Sequence, residues 1–128
     1  MAGFSTNIET DTLSNTDFRR VIYTAPHMQL VLMTLQVGDD IGQEAHDDVD
    51  QFIRVESGEA DAILDGVWSR LSDGSIVVIP AGTDHNVINT SSTEPLRLYT
   101  IYTPPNHPDG TVNRDKREAE AYERHHHG

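Results

Sequence analysis

Residues 74–89 read GSIVVIPAGTDHNVIN, and this stretch decides the fold. Gly74 closes a turn with Ser72 and Asp73. Residues 75–79 form an apolar, β-branched run of strand length, expected to be buried throughout from Ile76 to Ile79. Pro80, Ala81 and Gly82 end that run, because proline has no donor for a ladder and glycine tolerates a turn's backbone angles. His85 opens the next strand, with Val87 and Asn89 on the same side. Asn89 is expected to tie down backbone at the strand end. The partner stretch, residues 38–58, reads GDDIGQEAHDDVDQFIRVESG. Glu44 and His46 stand two apart, so in extended chain both face one side, about 6–7 Å apart. Asp47, Asp48 and Asp50 make a turn before Gln51. If Gln51 points inward, so do Ile53 and Val55, while Phe52, Arg54 and Glu56 face away. That parity describes a wet mouth above an apolar floor.

Outward from these stretches, apolar and polar residues alternate from Arg19 to Tyr102. Strands are expected at 20–23, 29–36, 51–56, 59–65, 67–71, 75–79, 86–89 and 96–102. Such short strands with turn signals between them describe an all-β antiparallel barrel or jelly roll. Asp65 and Gly66 form a two-residue hairpin signal. Residues 103–110, TPPNHPDG, contain three prolines and belong in a coil over the barrel. A short charged helix follows at 114–122, with Asn113 as its expected N-cap. The expected division is an N-terminal segment at 1–18, a barrel at 19–103 and a C-terminal coil and helix at 104–124. Residues 125–128, three histidines and a glycine, resemble a tag remnant and are set aside.

A chain of 128 residues supports one domain. Without cysteine it has neither a disulfide framework nor thiol chemistry. The N-terminus lacks a basic lead and an apolar run, and no apolar stretch reaches membrane-spanning length, so a soluble cytoplasmic protein is expected. A formal charge of -12, with Lys116 as the one lysine, argues against nucleic acid or an anionic membrane as partner. The same acid excess fits a salt-adapted surface. Stability that falls as molar salt is withdrawn is the expected mark of such a surface, and stability indifferent to salt contradicts it.

Gly38, Glu44, His46, Gln51 and Gly58, then Gly74, Pro80, Gly82, His85 and Asn89, lie on one template. It resembles the paired motifs of the cupin superfamily, Gly-x5-His-x-His-x4-Glu-x6-Gly and Gly-x5-Pro-x-Gly-x2-His-x3-Asn. In that family three histidines and one glutamate hold a divalent metal inside a small barrel. Here Glu44 takes the first histidine place and Gln51 the glutamate place, so the set keeps one carboxylate. The resemblance implies a double-stranded β-helix, or jelly-roll barrel, with Glu44, His46, Gln51 and His85 as metal ligands. Two imidazoles, a carboxylate and an amide oxygen suit Fe, Mn, Co or Ni, with Zn less favoured. The alternative is a hydrogen-bonded cluster in a metal-free barrel. The cost of burying such groups unpaired favours a cation. The tail from Pro104 to Thr111 is similar to that of small single-domain cupins.

The resemblance implies a metal-dependent enzyme acting on a small organic molecule. Dioxygenase chemistry is favoured over isomerase, lyase or cyclase chemistry, because a two-histidine, one-carboxylate set resembles that of non-haem iron oxygenases. A non-catalytic module binding a sugar or metabolite is the alternative; a storage protein fits the short chain poorly. Neither motif holds an arginine or lysine except Arg54, which parity points outward, so a sugar phosphate is disfavoured. Asp47, Asp48 and Asp50 are either a base at the mouth or, as is commoner for acids in a turn, solvated surface. Phe52, Trp68, Tyr99 and Tyr102 either line the pocket, form a dimer face or pack. His107 is read as a surface histidine in preference to part of a lid, and His27 as a turn residue. A homodimer is expected, since an open barrel edge needs covering and residues 4–15 form a candidate exchanged strand; a monomer by light scattering contradicts it.

Overall fold

The computed structural model describes residues 2–127. Every expected strand forms, each within about one residue of its expected limits: β1 (Arg19–Thr24), β2 (Gln29–Leu35), β3 (Asp50–Ser57), β4 (Ala60–Leu64), β5 (Val67–Leu71), β6 (Ile76–Ile79), β7 (His85–Asn89) and β8 (Leu96–Thr103). A two-residue strand, β9 (Val112–Asn113), adds to the edge of β1. Six strands form one antiparallel sheet in the order β6-β3-β8-β2-β1-β9, and three form a second in the order β5-β4-β7. The stretch before β3 lengthens the second sheet, through bridges Asp40 to Ile88 and Glu44 to His85. This is the jelly-roll barrel expected from the alternation.

The core lies between the sheets, where alternate side chains of the long strands meet. Ile53 and Val55 of β3, Leu96 and Leu98 of β8, and Val31, Met33 and Leu35 of β2 are buried there together with Val87 of β7. Phe52, Arg54 and Glu56 face away as parity required. The run at 76–79 departs from expectation: Val77 and Ile79 are buried, but Ile76 and Val78 are more than half exposed. β6 is the edge strand of the large sheet and offers one face to the core, so a continuous apolar run does not imply burial on both sides. Trp68, on the edge strand β5, is 61% exposed.

Asp65 and Gly66 both have positive φ, as their hairpin between β4 and β5 requires. Gly58 has a stricter reason to be glycine. Its φ is 122°, and a Cβ there would sit 3.0 Å from the Pro95 carbonyl oxygen and 3.1 Å from the Leu96 Cα. Gly58→Ala combines strain with a backbone clash and is expected to cost at least about 2 kcal/mol, read as a lower urea midpoint with an unchanged slope. A shift under about 0.5 kcal/mol contradicts this reading.

The N-terminal residues 4–15, expected as a candidate exchanged strand, instead contain helix α1 (Ile8–Ser14). Asn7 caps it by accepting from the Thr10 amide at 2.9 Å. The helix lies on the outer face of the large sheet, where Asn15 Nδ2 donates to Thr34 Oγ1 at 2.9 Å and the Thr34 hydroxyl donates back to the Asn15 carbonyl at 2.8 Å. With seven residues and no apolar stripe, α1 has little periodicity to read from sequence. The C-terminal helix α2 (Lys116–His127) starts two residues later than expected and runs further. Asp115, not Asn113, caps it, accepting from the Glu118 amide at 2.7 Å. Asn113 is instead taken up in β9, opposite Arg19. The terminal histidines 125–127 continue α2 in backbone, and their side chains lie outside the described residues. No helix among the described residues is long and apolar enough to cross a membrane.

Candidate metal centre

Glu44, His46 and His85 come together at the barrel mouth with one ligand atom each, all within 4.8 Å of one another. Backbone pairing sets this up. The Glu44 amide donates to the His85 carbonyl at 2.9 Å and the His85 amide returns to the Glu44 carbonyl at 2.7 Å, so the two segments are clamped side by side. His46, two residues on, turns its ring back to the same side. Its Nε2 lies 2.9 Å from Glu44 Oε2, and its ring centroid lies 5.6 Å from that of His85.

His85 is oriented from behind. Its Nδ1 lies 2.9 Å from the Thr83 carbonyl, an acceptor only, so Nδ1 carries the proton and Nε2 keeps a lone pair. That Nε2 is buried and has no hydrogen-bond partner. Gln51 repeats the arrangement: its Nε2 donates to Thr100 Oγ1 at 3.0 Å, while its Oε1 is buried without a partner. Two buried acceptors left unsatisfied cost about 1–3 kcal/mol each, a cost that a bound cation would offset. The donor set of two imidazole nitrogens, one carboxylate and one amide oxygen fits a divalent transition metal, and the Thr83 carbonyl holds the proton of His85 on its outward nitrogen.

Burial pushes Glu44 upward, but the hydrogen bond from His46 and the fields of His46, Arg19 and His85 outweigh it and hold the carboxyl below its ordinary range. The Glu44 hydrogen bond raises His46, against a smaller opposing effect of burial. The Glu44 contribution to stability is present above the ordinary carboxylate value and is lost as pH falls through its lowered one. The His46 contribution is complete below the ordinary imidazole value and is lost as pH rises through its raised one. The metal-free protein is therefore expected to be most stable between about pH 5 and about pH 6.5. A urea midpoint that keeps rising from about pH 7 to about pH 9 contradicts this assignment.

The coil at 104–111 forms the roof over the mouth, and the buried Gln29 holds it there. Gln29 accepts from the Asn106 and His107 amides at 3.1 and 2.9 Å and donates to the His107 carbonyl at 2.7 Å. His107, read as a surface residue, is brought to the mouth instead, its ring edge-on to Tyr102 at 5.1 Å. Tyr102 is buried, with its ring 6.3 Å from that of His46. Burial pushes its phenol well above the ordinary value, so it stays protonated. Among the candidate aromatics only Tyr102 lines the site, while Phe52 and Tyr99 pair with each other at 6.3 Å on the outer face. Asp47 and Asp48 are exposed, and Asp50 accepts from the Ala81 amide at 2.8 Å. His27 lies exposed in the turn between β1 and β2.

A basic group from outside the two motifs does lie close to the site. Arg19, at the start of β1, is buried and shares a cavity of about 190 Å³ with Glu44 and Glu123 of α2. A signal was present in sequence: Arg19 and Arg20 are adjacent in a strand, so one of them must face inward. A second cavity, of about 290 Å³, lies between Glu44, His46, Asn106, His107 and Glu123.

Comparison with known proteins agrees with this geometry. The chain is 47% identical over 126 residues to the uncharacterized protein YrkC of Bacillus subtilis (strain 168), covering 94% of this chain and 67% of that protein. It is 48% identical over 110 residues to an uncharacterized protein of Acanthamoeba polyphaga mimivirus, covering 84% of this chain and 69% of the other. A crystal structure of a Bacillus halodurans protein superposes with a TM-score of 0.91 at 44% identity, covering 94% and 95% of the two chains. The Cupin domain model matches residues 31–102, which include all four candidate ligands, and with a barrel and motif spacing of this kind the chain belongs to the cupin family.

Proposed function

We propose that this cupin is a metal-dependent enzyme for a small organic molecule, holding one divalent transition metal on Glu44, His46, Gln51 and His85. The observation that carries the reading is the pair of buried, partnerless acceptors, His85 Nε2 and Gln51 Oε1, each fixed from behind by a hydrogen bond. When bound, such an ion supplies a Lewis acid with positions open to substrate or dioxygen. Glu44 and His46, which share a hydrogen bond at 2.9 Å, would hold the ion through those same two atoms, so the proton between them would have to leave for the ion to bind. Thr83 keeps the His85 ring in one tautomer. Tyr102 keeps a neutral phenol behind the His46 ring, 3.4 Å from His107 Nε2. The roof pinned by Gln29 limits water at the mouth.

Within this reading dioxygenase chemistry is favoured by the two-histidine, one-carboxylate core. A Lewis-acid isomerase or lyase is the second reading. Arg19 supports it by placing a buried cation next to Glu44, within reach of an anionic substrate group. Elemental mass spectrometry of protein lacking residues 125–127 is expected to find about one equivalent of Fe, Mn, Co or Ni, lost in His46→Ala. No metal after anaerobic reconstitution contradicts the proposal and leaves a ligand-binding barrel. Turnover that stops without oxygen selects the dioxygenase, and turnover that persists selects the Lewis-acid reading.

A further inference from the structure

Arg19 poses a question that the metal site does not answer. Its guanidinium is always charged, and its side chain is only 5% exposed, so it needs an anion beside it at all times. Glu123 fills that place with one contact, Nη1 to Oε1 at 3.4 Å, well beyond the 2.7–2.9 Å or so of a strong arginine–carboxylate pair. Nη1 also donates to Asn113 Oδ1 at 3.3 Å, and the guanidinium sits 5.5 Å from the Phe18 ring centroid, so the group is held in position by the barrel. Its Nε is buried with no partner, which leaves part of the donor fork unused. Glu123 is differently placed: it stands on α2 outside the barrel and its side chain is 37% exposed.

Location gives this pair a meaning beyond pinning a helix. Glu44 and Glu123 line both the Arg19 cavity and the cavity at the mouth, so the two spaces adjoin along one wall. Glu123 lines the cavity that holds His46, and Arg19 lines the adjoining one. A buried permanent cation, one long hydrogen bond to a half-exposed carboxylate, and an unused donor together describe a site whose present occupant is replaceable. The occupant's own chemistry points to the ligand.

We propose that Arg19 is the substrate's carboxylate-binding residue and that Glu123 stands in for that carboxylate in the ligand-free molecule, so the substrate is a small carboxylic acid. The inference deepens the function proposed above by naming its substrate class, and it rests on that reading for the reaction. One end of the acid pairs with Arg19 while another oxygen reaches the cluster of Glu44, His46 and His85. Glu123 then swings outward into solvent, where its charge costs nothing to solvate. Because the group now beside Arg19 is the planar carboxylate of Glu123, a carboxylate is the expected replacement in preference to a phosphate.

Titration calorimetry with malonate, and with inorganic phosphate for comparison, tests this on the full chain, both metal-free and loaded with Mn(II). Glu123→Gln removes the stand-in charge and is expected to bind malonate about tenfold tighter than the parent, because the competent state no longer has to be freed first. Arg19→Gln is expected to abolish the binding, and Arg19→Lys, which keeps the charge but not the fork, to weaken it in a folded protein. Malonate bound no tighter by Glu123→Gln, or equally well by Arg19→Lys, overturns the proposal, as does phosphate binding as tight as malonate. The two readings fail separately. Manganese uptake without a Glu123→Gln effect removes the carboxylate site alone, and a Glu123→Gln effect in protein that takes up no metal removes the metal reading alone.

Discussion

His85→Ala is expected to lower affinity for a divalent metal by at least about 100-fold, measured by competition with a chromogenic chelator in protein lacking residues 125–127. Loss of an outer hydrogen bond to a metal-bound histidine already costs about 10–100-fold, and removing the ligand itself costs more. Because His85 is 1% exposed, its truncation also opens a cavity, so affinity alone does not separate a ligand from a packing residue. Gln51→Leu makes that separation. Leucine fills the volume of the buried amide and removes the partnerless Oε1, so the metal-free protein is expected to stay within about 1 kcal/mol of the parent or to gain stability. Metal affinity is expected to fall at least about tenfold. The reverse pattern, a large loss of stability with unchanged metal binding, identifies the cluster as a hydrogen-bonded network and ends the metal reading.

Asn89→Ala is expected to cost at least about 3 kcal/mol, the largest stability loss from any polar position of the two motifs. Asn89 is 4% exposed, and its amide donates to the carbonyls of Leu35, Gln36 and Glu94 at 3.1, 3.2 and 3.0 Å. Its Oδ1 accepts from the Ser91 amide at 2.9 Å. One side chain thus ties the end of β2 and the loop before β8 to the end of β7. Truncation leaves several backbone groups at a buried junction without partners, which is why the cost exceeds that of a single hydrogen bond. Urea unfolding followed by circular dichroism checks it; Asn89→Asp, which keeps the acceptor and loses the donors, is expected to fall between. A loss under about 1 kcal/mol for Asn89→Ala refutes the tie.

Asn89 also shows how much of the molecule was legible before its coordinates. Its role followed from a polar residue at an inward position of a strand end, where backbone needs partners. The same two-residue parity placed Gln51, Ile53 and Val55 inside and Phe52 outside, since the period of a strand is fixed by covalent geometry. Helix α1 escaped the reading because seven residues with a single buried threonine leave no periodic trace. Ile76 and Val78 were misplaced because an apolar run has the same composition in a central strand and at an edge. Arg19 lies outside both motifs, and its only local signal is the adjacent Arg20, since two neighbours in a strand face opposite sides and one charge must turn inward.

Local rules written in the chain therefore determined the barrel, its strand limits, its tight turns and the three side chains, Glu44, His46 and His85, gathered at its mouth. They act over a few residues, through alternation, turn chemistry and spacing. Which groups close over that mouth was a matter of tertiary structure alone. Gln29 meets His107, and Arg19 meets Glu123, across separations of 78 and 104 residues. No periodicity spans such distances, and the partners become neighbours only after the sheets have closed and α2 has packed against them.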